Sequence, residues 1–127
     1  MSILKKIFTA IGVFKNELDV LTLQNEMAIL NEFVTKSLSG ASYEDVSPEL
    51  ILLHTGKIKE IITTLFNKGK LSVDKNTMNY VLCNIANEEK MIESCAAAYR
   101  LGDMGIYSSQ VGASLMSIQK DIKLFLR

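Results

Sequence analysis

Residues 104–125 read MGIYSSQVGASLMSIQKDIKLF, and their apolar positions decide the kind of fold. Met104, Ser108, Val111, Leu115, Ile118, Ile122 and Phe125 recur at alternating spacings of four and three, the heptad seam of a helix that packs lengthwise against others. Beside the seam, Gly105, Ser109, Gly112 and Ala113 make a narrow strip of small residues. Small side chains let a neighbouring backbone approach closely, so this strip is expected to be a close-packing surface. Gly102-Asp103 supplies a stop and a new cap just before it, and the helix is expected to run from near Asp103 almost to Arg127.

The same periodicity extends upstream. Met78, Val81, Leu82, Ile85, Ile92, Ala96 and Tyr99 form the stripe of a helix capped by Ser72 or Asp74. Ile51, Ile58, Ile61, Ile62, Leu65 and Phe66 mark another, opened by Ser47-Pro48-Glu49 and closed by Asn67-Lys68-Gly69. A hydroxyl cap, a proline whose missing N–H costs nothing in the first turn, and an acid at the positive end of the helix dipole make that the clearest start in the chain. Ser39 to Ser47 is the one clear loop, with Gly40 ending the helix before it.

The first segment changes phase. Ile3, Leu4, Ile7, Phe8, Ile11, Phe14 and Leu18 form one amphipathic stripe, whereas Val20, Leu21, Leu23, Met27, Leu30, Val34 and Leu38 no longer extend its line. Either one helix is apolar on two sides near residues 18 to 23, or the helix breaks near Asn16, with Asn16 and Asp19 as its new cap. No run of strand alternation and no long repeat interrupts this pattern. The chain of 127 residues is therefore expected to be a single all-α domain over 1–127, an up-and-down bundle of four to five helices.

Composition narrows the function. Fourteen basic residues balance fourteen acidic ones, which removes the broad attraction that nucleic-acid binders show, and the lysines around 57 to 75 lack aromatic residues that could stack bases. No nucleic-acid partner is expected. With seven glycines and one proline, long stretches run without a backbone breaker, and a chain of this length needs neither a disulfide nor a metal to fold. Cys83 and Cys95, twelve residues apart in one expected helix, are about 18 Å apart and do not bridge; both are expected to be buried and inert. The cysteine usage, the lack of an 18-residue apolar run and the absence of a cleavage pattern after Phe14 fit a cytoplasmic setting.

No catalytic signature, cofactor motif or metal-ligand spacing is present. His54 is the one histidine, and its near neighbours Glu49 and Lys57 are a poor general-base pair, so a packed or boundary histidine with one hydrogen bond is expected. Glu89 falls where the stripe of its helix calls for an apolar residue. The expectation is that the helix turns so that Glu88 and Glu89 are solvated, the other reading being a carboxylate in a polar pocket.

Residues 2 to 12, Ser-Ile-Leu-Lys-Lys-Ile-Phe-Thr-Ala-Ile-Gly, resemble the membrane-sensing start of the phage-shock-protein A family over less than a tenth of the chain. That family's long coiled-coil hairpin, rich in Glu, Lys and Gln, is absent here, and its function is not carried over. From the residues themselves, Ile7, Phe8, Ile11 and Phe14, together with Gly105, Ser109, Gly112 and Ala113, form the candidate interaction surface. With six methionines suited to adaptable interfaces, they suggest a non-enzymatic bundle that binds a protein partner, including itself as a homo-oligomer, in an adaptor, assembly or neutralising role. Peripheral attachment to a membrane surface through residues 2 to 15 is the alternative.

Overall fold

The computed structural model describes residues 3–40, 43, 45–102 and 107–126; for residues 3–19 it describes the helical backbone alone. Four helices follow one another: α1 (Ile3–Leu38), α2 (Pro48–Asn67), α3 (Lys75–Arg100) and α4 (Tyr107–Ile122). Among the described residues there is no strand. Each helix packs on two others, α1 on α2 and α4, and α3 on α2 and α4, while among the described residues the backbones of the diagonal pairs do not come close. The result is an up-and-down bundle of four helices. α1 is unbroken through Asn16, which resolves the open alternative at its phase change.

The sequence signals at helix ends act locally, and the structure bears most of them out. Asp74 caps α3 by accepting a hydrogen bond from the Thr77 N–H at 2.7 Å. That bond, followed by the Thr77 hydroxyl, holds the Asp74 carboxyl below its ordinary range. α2 ends in a double closure: Gly69 takes a left-handed φ of 71°, its N–H bonds to the Phe66 carbonyl, and the Lys70 N–H reaches back to Leu65. Glycine takes that conformation without steric cost. Ser47 is the cap of α2 and Pro48 opens it, but the Ser47 hydroxyl donates to the Glu49 carboxylate at 2.9 Å and accepts no backbone N–H of the first turn. α4 stops at Ile122 and a turn follows over 123–125, so the helix is shorter than its stripe suggests. Its expected beginning, including Met104 and Gly105, lies outside the described residues.

Leu23 and Leu30 of α1, Ile51, Ile58 and Ile62 of α2, Val81, Ile85 and Ile92 of α3, and Val111, Leu115 and Ile118 of α4 are fully buried. Burying one such side chain contributes roughly 1.5–3 kcal/mol against the entropy of ordering it. Over one end of the bundle, Tyr43 stacks on Tyr99 with ring centroids 4.3 Å apart and leans on Tyr107 at 4.8 Å. The Tyr107 hydroxyl donates to the Val46 carbonyl at 2.6 Å. Burial first, and the neighbouring Tyr43 second, push this phenol far above its ordinary range, so it stays a neutral donor.

Candidate interaction surface

The core-facing line of α1 runs through Leu23, Glu26, Leu30, Phe33, Val34 and Ser37, all buried. This corrects the expected later stripe, of which Val20, Leu21 and Leu38 are exposed: Leu21, three positions after Leu18, continues the earlier apolar line through Leu4, Ile7, Ile11, Phe14 and Leu18. Leu21 is 45% exposed. At 100° per residue, Leu21 lies about 180° around the helix from Leu30, and Phe14 about 180° from Leu23. One continuous rod thus carries two apolar lines on different sides, and at the first place where side chains are described the earlier line is on the outside. Of the predicted residues, the side chains of Ile7, Phe8, Ile11 and Phe14 lie outside the described residues, as does Gly105.

Helix lengths add a second fact. α1 has 36 residues, about 54 Å, against 20 residues and about 30 Å for α2. At Val20, α1 shares a pocket of about 480 Å³ with Lys70, Val73 and Thr77 from the α2–α3 turn and with Leu124, Phe125 and Leu126 from the chain's end. The lower ends of α2, α3 and α4 therefore lie level with Val20, and residues 3–19 of the same helix precede that level.

The small-residue strip of α4 divides. Gly112 is buried, and a Cβ placed there lies 3.3 Å from the Ser37 Cβ, so α1 and α4 approach closely at this point as expected. Ser109 and Ala113 are exposed, so of these three strip residues Gly112 alone lies at the close approach of α1 and α4. The cause is helical phase: Val111, Leu115 and Ile118 take the core side, which leaves 109, 113 and 116 on the far side. Met116 is 50% exposed there, and Leu38, 68% exposed, touches the Gly112 position from α1. From Tyr107 through Gln119 α4 carries no charged residue. Depletion of charge over an exposed apolar strip is a property of interface cores. Further down, Gln24, Met27, Ala28, Asn31, Gln119, Lys123 and Leu126 line a shallow groove of about 370 Å³ between the same two helices.

The polar groups that invited a chemical reading pair off between helices. His54 Nδ1 donates to Glu26 at 2.6 Å, α2 to α1, with both side chains largely buried. This is the single hydrogen bond expected of a boundary histidine, to a partner 28 positions away. Glu89 is not solvated: its side chain is 13% exposed and accepts from Thr55 at 2.6 Å and from Lys59 at 2.5 Å. The stripe is interrupted there because α2 supplies a hydroxyl and an ammonium group opposite it. Cys95 is buried, but Cys83 is exposed on α3, against expectation. Among the described residues no three metal-ligating side chains come together. No helix of the described residues is long and apolar enough to cross a membrane.

Compared with protein families, with curated proteins and with solved structures, the chain matches none.

Proposed function

We propose that this protein acts by recognition: a helical bundle that binds protein, associates with copies of itself, and serves as an adaptor, an assembly accessory or a neutralising partner. One observation supports this reading above the others. α1 is a single rod with two apolar lines, and α2 and α4 fill the one through Leu23 and Leu30. A rigid helix cannot turn both lines toward the same core, so the line through Ile11, Phe14 and Leu21 calls for cover from another molecule. The uncharged outer strip of α4 at Ser109, Ala113 and Met116 gives a second, smaller contact area.

Size-exclusion chromatography with light scattering at tens of micromolar tests the self-association. The expected result is a dimer or larger species that Ile11→Asp converts to monomer with its helical circular dichroism retained. A strictly monomeric protein that binds no apolar dye removes the basis of the reading.

Attachment to a membrane surface is the second reading, favoured by the helical backbone of α1 reaching Ile3 and by Lys5, Lys6 and Lys15 beside the apolar positions. Flotation with anionic liposomes of the intact protein and of Phe8→Asp separates it from the first. Equal flotation of the two, or none of either, counts against insertion of this face.

A further inference from the structure

We draw no further inference here: the strongest candidate, the exposed apolar patch of α1 at Val20 and Leu21, level with the α2–α3 turn, is an unpartnered face, and nothing in the structure shows what covers it.

Discussion

The two seams of α2 and the two seams of α4 are built on opposite plans. α2 is keyed to its neighbours by charge: His54 to Glu26 on α1, and Thr55 with Lys59 to Glu89 on α3. α4 is keyed mainly by shape and neutral contacts. Gly112 lets α1 approach, Gln119 donates to Asn31 at 3.4 Å, and on the α3 side Asn84 donates to Ser117, with Asp121 the one charged acceptor. Charged contacts fix which face of α2 points inward, because a misplaced carboxylate loses its partner and its water together. Close contacts fix the depth of α4, since backbone packing tolerates little added volume. The consequence for the surface is that α4 can leave its outer strip uncharged.

The largest test of this contrast is Gly112→Leu. A Cβ alone already meets Ser37 at 3.3 Å, so a branched side chain must drive α1 and α4 apart. We expect a loss of about 3 kcal/mol, at the upper end of overpacking, read by urea unfolding. A loss below about 1 kcal/mol means that α4 is not held by close approach.

Next in size is Glu89→Ala. Thr55 keeps its bond to the Leu52 carbonyl, and Lys59, a third exposed, swings into water. What is lost is one charge-assisted network in a partly buried site, about 1.5 kcal/mol after the screening that such exposure brings. Combining it with Lys59→Met is expected to cost less than the sum of the two single changes; strict additivity would show that α2 is not keyed through this pair.

Smaller again is the double change Glu26→Leu with His54→Phe. Removing both partners for apolar groups of similar size is expected to leave stability within about 1 kcal/mol of the wild type, while Glu26→Leu alone costs more because His54 loses its carboxylate partner. Thermal unfolding of the three variants makes the comparison. A double variant worse than either single one would mean that the pair contributes net stability and does more than select the rotation of α2.

These contrasts were unevenly legible in the sequence. Caps, stops and stripes depend on residues within a turn or two, and so Asp74, Gly69 and the core lines of α2, α3 and α4 read directly, whereas the stripe expected for α1 took in Val20, Leu21 and Leu38, which are exposed, and passed over the buried Phe33. The small-residue strip gave the Gly112 contact, while Ser109 and Ala113, which stand beside the seam, come out exposed once Val111 and Leu115 take the core. Cys83 was misjudged: residue type suggested burial, whereas its place two positions after Val81 puts it about 200° from that buried valine. Glu26 and Lys59 could not be matched to His54 and Glu89, because pairing across helices depends on register, which local spacing does not encode.

The smallest expected effect concerns the start of α3, where a charge works through a helix end without any partner helix. The folded-state pKa of Asp74 lies below its ordinary value of 3.8, the Thr77 N–H being the main cause. A depressed acid contributes stability that is fully present above its unfolded pKa and is lost as pH falls through the folded one. The contribution therefore holds at neutral pH and fades below about pH 4. Asn is as good a cap as Asp but carries no charge for the helix dipole. Asp74→Asn should accordingly be slightly less stable than the wild type at neutral pH and indistinguishable from it once the wild-type carboxyl is protonated. Thermal unfolding of both proteins between pH 7 and pH 2.5 reads the closing of that gap. A gap of constant size across this range would mean that the cap acts through its hydrogen bond alone, and that the charges which matter to this fold are confined to the seams of α2.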